Sequence, residues 1–232
     1  MPRRLLLLTG QLEARFVTTQ LARPGDVIRP VASLDELKAA LDESEEAARL
    51  LAFCTAVIVP EPLLRRLPGP SYNIHPGPPS YPGRHPESWG AYDGCARFGA
   101  TLHEMAPRVD EGPIVDVEWT GIPPAAGQLE FGRRALRASV ALLARWYTRL
   151  LDDDGPLPRS EHAWSGRKTT HAQLLAMRQV PADVSSGELE RRRRAFAEIP
   201  GTRLTLTLHG REFVHTVDEP EPDGTESAAS SA

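Results

Sequence analysis

LLAFCTAVIV, residues 50–59, contains one hydroxyl and no charge. A run this short and this continuously apolar reads as a strand covered on both faces, the pattern of a parallel sheet flanked by helices. Pro60 closes it. Upstream, Arg4 to Thr9 reads as another short buried strand ending at Gly10. A helix is expected over Gln11 to Ala22, stopped by Pro24-Gly25, and a second strand over Asp26 to Val31. Ser33 with Glu36 fits a capping box, and Leu34, Leu37 and Leu41 then recur at helical spacing. The acidic run Asp42 to Glu46 extends the polar face of that helix.

Downstream, Glu61 to Leu67 is a turn or two of helix, Tyr72 to Ile74 a short strand, and Glu87 to Tyr92 a helix. Gly99 to Met105 and Pro113 to Trp119 read as strands, joined by the loop RVDEG. Gln128 to Leu151 is the clearest helix, with Leu129, Leu136, Val140, Leu143, Tyr147 and Leu150 in one stripe and Arg134, Arg137, Arg145 and Arg149 off it. This alternation of strand and helix is that of an open α/β fold with a mostly parallel sheet.

DDDGPLP (152–158) marks a boundary, so the catalytic domain is expected over residues 1–153. A small α+β appendage follows over 154–217, with helices near Thr170 to Met177 and Ser186 to Phe196 and a hairpin over Arg203 to Val217 turning at His209-Gly210. Residues 218–232 are acidic and Pro-rich, then Ser/Ala-rich, the composition of a disordered tail. The whole chain of 232 residues suits one good-sized core with an appendage.

Hydrophobic residues make up 41% and charged residues 25%, ordinary for a globular protein, and the net charge of −4 argues against a nonspecific nucleic-acid binder. Cys54 and Cys95 give no disulfide framework. The apolar run Leu5 to Leu8 is too short for a signal peptide, and no stretch is long enough to cross a bilayer, so no membrane partner and a cytoplasmic location are expected.

The candidate chemistry lies in SYNIHPGPPSYPGRHP (71–86). Asn73 and His75 are two apart and face the same way on an extended segment. They sit at a strand's end, where open α/β sheets bind ligands. Asp110 lies in a second loop that follows a strand. Together these three can perform acyl transfer: the Asp orients the imidazole, and the His and the Asn amide stabilise a developing oxyanion. Each also has a plain structural role, Asn73 as a turn cap and His75 as a satisfied core histidine. His75, His85, His103 and Glu104 are potential zinc ligands, but their spacing matches no zinc motif.

N-x-H-P-G-P-P-x-Y-P-G, F-G-A-T-L-H-x-M and V-D-E-G-P-I-V occur in that order, and the pattern resembles the folate-dependent formyltransferases that act on glycinamide ribonucleotide, methionyl-tRNA or nucleotide-linked amino sugars. The resemblance is close over Leu50 to Pro123. It implies a shortened Rossmann-like core, 10-formyltetrahydrofolate as co-substrate and no metal. It also implies a catalytic set of Asn73, His75 and Asp110, with Asp110 holding His75 and assisting proton transfer. Phe53, Val57, Ile58 and Val59, with Arg108 and Val109, match the pterin pocket. Tyr81, Arg84 and Trp89 are the candidate acceptor-binding residues, and Trp89, Tyr81 and Tyr92 are expected either to stack on a base or sugar or, as such aromatics more often do, to lie in the core.

The loop between His75 and Gly83 is one residue shorter than the family's, and a strand-helix unit before Asn73 is expected to be trimmed. RRRRAFAEIPGTRLTLTLHGREF resembles the start of the C-terminal module of the tRNA and sugar branches. The expected acceptor is the amine of a small molecule or nucleotide-linked sugar. The short C-terminal part and the acidic charge weigh against tRNA. Hydrolysis of the formyl donor on the same scaffold is the alternative, with a methionyl-tRNA formyltransferase-like enzyme as another. Arg191 to Arg194 are expected either to neutralise acceptor phosphates or to solvate a helix face, and the hairpin edge offers a homodimer contact.

Overall fold

A computed structural model describes residues 3–43, 49–152, 155–199 and 201–215. The acidic run from residue 44, part of the boundary at 152–158 and the expected tail lie outside these. The elements run β1 (Arg3–Leu8), α1 (Gln11–Phe16), β2 (Asp26–Val31), α2 (Leu34–Glu43), β3 (Arg49–Phe53), α3 (Glu61–Leu64), β4 (Tyr72–His75), α4 (Pro86–Asp93), β5 (Arg97–Glu104), β6 (Ile114–Gly121) and α5 (Gln128–Asp152). Six strands form one sheet in the order β2-β1-β3-β4-β5-β6. The first four pair in parallel, and β5 runs antiparallel to both of its neighbours.

Period-two alternation distributes each strand between two cores. Leu5, Leu7, Leu51, Phe53, Tyr72 and Ile74 pack against Ala138, Leu142, Leu143, Tyr147 and Leu150 of α5. Leu6, Leu8, Leu50 and Ala52 pack on the other face against Leu37 and Ala40 of α2 and Leu63 of α3. Each fully buried leucine contributes about 1.5–3 kcal/mol, so β1 and β3 are secured from both sides.

Several expectations need correction. The strand expected through Val59 stops at Phe53, because Cys54 takes a left-handed backbone (φ 47°) and residues 54–59 leave the sheet. The helix expected over Gln11 to Ala22 is α-helical only to Phe16 and continues as a π-helix over Val17–Leu21. Of the stripe on α5, Leu129 and Leu136 are exposed, and Phe131, Ala135, Ala138 and Leu142 are buried in their place. Leu143, Tyr147 and Leu150 of the stripe are buried as expected, and only its N-terminal half shifts, where Ala135 and Ala138 lie among the buried residues. Ser33 does accept from the Glu36 N–H (3.2 Å), but the Glu36 carboxylate accepts from Ala32 rather than closing the box on Ser33. The crossover between β3 and β4 carries only the four-residue α3, so that face of the sheet is thinly covered.

Beyond α5 the chain forms an extended strap and then α6 (His171–Arg178), β7 (Gln179–Val180), α7 (Ser186–Phe196), β8 (Thr205–Leu208) and β9 (Arg211–Val214). A capping box of Thr170 and Gln173 opens α6. His209 and Gly210 both have positive φ (48° and 76°), as a tight two-residue hairpin turn requires. Leu174, Val180, Ala195, Phe196 and Leu204 pack with Ala91, Phe98, Phe131 and Ala135, so this part shares a core with α4, β5 and α5. No helix among the described residues is long and apolar enough to cross a membrane.

Candidate active site

Tyr72 and Ile74 point into the α5 core, so Asn73 and His75 point to the opposite face. Asn73 pairs in register with Ala52 of β3 and with His103 of β5, and His75 pairs with Thr101. A bulge between Leu102 and His103 interrupts the β5–β6 register beside the site, a device that re-aims a side chain. This row opens into a cavity of about 270 Å³ because α3 is too short to cover it. Thr55 to Val59 and Met105 to Asp110 form its walls, and Arg84 and residues 168–171 its rim.

The polar centre is tight. His75 Nδ1 lies 3.5 Å from Asp110 Oδ2, and His103 Nε2 lies 3.4 Å from Asp110 Oδ1. Asp110 Oδ2 also accepts from the Gly83 N–H at 2.7 Å. Asp110 itself has a left-handed backbone (φ 49°), the kind of strain found at functional positions. Burial raises its pKa, but the positive charge that His75 and His103 carry once protonated, together with the Gly83 N–H, outweighs it and holds the carboxyl down at about 2. It is therefore ionised at neutral pH.

Burial pushes the His75 pKa below the ordinary histidine value, against the opposing pull of Asp110 and the Tyr81 carbonyl. The neutral ring donates Nε2–H to the Tyr81 carbonyl at 2.9 Å. His103 Nδ1 faces the Glu104 carbonyl at 2.9 Å, and its Nε2 faces Asn73 Nδ2 at 3.0 Å. A carbonyl can only accept, so Nδ1 carries the hydrogen of a neutral His103 and Nε2 accepts from the Asn73 amide. That fixes the amide's orientation.

The cavity gathers Asn73, His75, Asp110, Val57, Ile58, Val59, Arg108, Val109 and Arg84. It does not gather the others. Phe53 is buried in the α5 core, because successive strand residues alternate and Ala52 is the one that faces the cavity. The Tyr81 ring leans on Phe98 and its hydroxyl donates to Asp93, so only its carbonyl reaches His75. Trp89 stacks edge-on against Tyr92 and Phe196 in the third core. Arg191 to Arg194 are held within their own helix by Glu188 and Glu190, and Arg191 also lies over Tyr92. His103 is the group that sequence reasoning placed only among potential zinc ligands. Its signal was the alternation Thr101, His103 on β5, legible once β5 is set beside β4. No group of three or more His, Cys, Asp or Glu among the described residues is placed to hold a metal.

The sequence model of the formyl transferase family matches residues 10–145. Among solved structures, the chain resembles a 4-N formyltransferase from Francisella tularensis (TM-score 0.73, 15% identity, 95% of this chain and 99% of that one). It also resembles a sugar N-formyltransferase from Shewanella sp FDAARGOS_354 (TM-score 0.70, 16% identity, 92% and 96%). A third is the N-formyltransferase from Helicobacter canadensis in complex with folinic acid and dTDP-3-aminofucose (TM-score 0.62, 14% identity, 84% and 80%). At these identities the likeness is one of fold, and the family match, over more than half of the chain, decides membership. The chain belongs to the formyl transferase family.

Proposed function

We propose that the protein transfers a formyl group from 10-formyltetrahydrofolate to the primary amine of a nucleotide-linked amino sugar or a similar small molecule. The observation that carries this is the convergence of Asn73, His75 and Asp110 on the floor of an apolar-walled cavity. The complex of the Helicobacter canadensis enzyme with folinic acid and dTDP-3-aminofucose supports the same pair of ligand classes. At about 270 Å³ the cavity falls below the roughly 300–1,000 Å³ of drug-sized sites. It suits one flat ring system, with the rest of the folate extending outward. Val57, Ile58, Val59 and Val109 offer the apolar wall for that ring, and the backbone of residues 55–59 and 105–110 supplies donors and acceptors at its edge.

In this mechanism the substrates displace the Tyr81 carbonyl from His75 Nε2. Freed of that carbonyl, the neutral ring releases its Nε2 proton to solvent and takes one from solvent at Nδ1, which donates to Asp110 and leaves Nε2 open. The amine attacks the formyl carbon, and the carbonyl electron pair moves to oxygen. Asn73 donates its remaining amide N–H to that oxyanion, worth about 2.7–4 kcal/mol in comparable oxyanion holes. His75 takes the amine proton, and Asp110 stabilises the imidazolium. Collapse of the intermediate breaks the bond to folate N10, and His75 returns the proton to that nitrogen.

In this scheme residues 1–153 supply the chemistry, and the described residues that follow, 155–199 and 201–215, close the rim and pack behind α4. β9 ends its three-stranded sheet with Phe213 and Val214 exposed. A second copy pairing there would give a homodimer, which sedimentation of the full chain reads out.

The test is a labelled formyl donor offered with a panel of amines. Transfer to an amine, abolished in Asn73→Ala, His75→Ala and Asp110→Ala, is expected. Formate release without any amine, or full activity in all three variants, overturns the proposal.

A further inference from the structure

Residues 158–170 cross the mouth of the site as a strap fixed by its backbone. The Ser160 N–H donates to the Ile114 carbonyl (2.8 Å), Ser165 N–H to Pro79 (3.0 Å) and Thr169 N–H to Pro82 (3.0 Å), and the Thr169 carbonyl accepts from Arg84 (2.9 Å). Along this strap Ala163 and Ser165 are exposed, and Trp164 between them turns inward. Its indole meets the His103 ring edge-on at 5.0 Å between centroids, with planes at 90°, and the His75 ring at 5.8 Å and 75°. Its Nε1–H donates to the Gly112 carbonyl at 2.9 Å. Gly112 lies two residues after Asp110 and so close to β5 that a Cβ there would stand 1.8 Å from the Glu104 carbonyl oxygen. The indole thus touches both imidazoles and is pinned to the loop that carries their shared carboxylate.

We infer that Trp164 is a positioning residue for formyl transfer. It acts through His75 and His103, holding their planes toward Asp110 and Asn73 and keeping water from the side of the imidazole pair that the sheet leaves open. Two observations point the same way. Both imidazoles are buried. Edge-to-face aromatic contacts are directional, so they fix ring planes as well as fill volume. The charged and polar groups that face His75 are His103 from β5, Asp110 from its loop, Glu87 from α4 and the Tyr81 carbonyl from the acceptor loop, and Gly77 lies against its Nε2 edge. Of the strap's cations, Lys168 is engaged by Glu111 and Arg159 faces Glu104.

The inference rests on the proposed reaction for its kinetic consequence, but not for its structural one, so two measurements separate them. Histidine NMR titration of the intact protein, with His75 assigned through His75→Asn, reads the cover without any turnover. Trp164→Ala should raise the His75 midpoint toward the ordinary histidine value, and Trp164→Phe, which keeps a ring edge, should leave it near wild type. In steady-state kinetics Trp164→Ala should lower kcat roughly ten- to hundredfold with the donor KM little changed, and Trp164→Phe should restore most of it. If Trp164→Ala does not fold, Trp164→Leu serves, since it fills the volume without a ring. An unmoved His75 midpoint, equal damage from Phe and Ala (or Leu), or a loss expressed in KM alone overturns the role of Trp164. Absence of formyl transfer in the wild type, with the midpoint still displaced in Trp164→Ala, overturns only the proposed reaction.

Discussion

Asn73 and His103 face each other across the antiparallel β4–β5 pair, and the Asn73 amide nitrogen lies 3.0 Å from His103 Nε2. The amide that is proposed to meet the oxyanion is thus aimed from a neighbouring strand. Removing the acceptor with His103→Leu should free the amide to rotate and lower kcat about tenfold or more. Because the two act as a unit, Asn73→Ala/His103→Leu should be hardly worse than Asn73→Ala alone. A double-mutant cycle measures this, and additive losses would count against the pairing.

The pH dependence of activity follows from burial. His75 must be neutral to accept the amine proton, and its pKa lies below the ordinary histidine value. The acid limb of kcat/KM should therefore fall below pH ~6.5. A limb at or above that value would contradict the buried, neutral resting state.

Acid stability has the same sign. Asp110 is held at about 2 in the fold, against 3.8 for an ordinary Asp. A depressed carboxyl contributes stability that is present above the unfolded value and is lost as pH falls through the folded one, here about 2 kcal/mol. His75, also depressed, contributes stability that is present above its ordinary value of 6.5 and is lost as pH falls below it through the folded value. Denaturant titrations from pH 7 to 2 should show the wild type losing more stability than Asp110→Asn below pH 3.8.

Gly83 joins the two halves of the site. Its φ is +99°, its N–H donates to Asp110, and a Cβ would meet the Thr169 carbonyl oxygen at 2.3 Å. Gly83→Ala should strain this backbone by about 1–3 kcal/mol and loosen the strap. Thermal melting and activity should fall together.

Tyr72 accepts the Leu157 N–H through its hydroxyl at 2.7 Å. Leu157 is buried, so Tyr72→Phe leaves a donor without a partner at a cost of about 1–3 kcal/mol. Equilibrium unfolding tests it.

Much of this was legible locally. Asn73 and His75 share a face by alternation alone, and Ser186 to Phe196 is bounded in the structure as its spacing suggests. Residues 50–59 were half legible. Apolar composition marks both β3 and the cavity wall, and only the left-handed Cys54 divides them. His103 needed the β4–β5 register, and Trp164 needed the course of a strap whose partners lie 46 to 87 residues away. For the arginines of α7 both a phosphate site and a solvated helix face stayed open, and the structure pairs them with carboxylates one helical turn away.

The strap also sets an order of events. A chain leaves the ribosome from its N-terminus, and domains form as their residues emerge. Asn73, His75 and Asp110 are all made well before Trp164 and Thr169. A chain ending near residue 153 would lack the indole that meets both imidazoles and the Thr169 partners of the Pro82 carbonyl and the Arg84 N–H. The site is complete only when the strap, which follows all three reactive groups in the chain, lies against the strands that carry the chemistry.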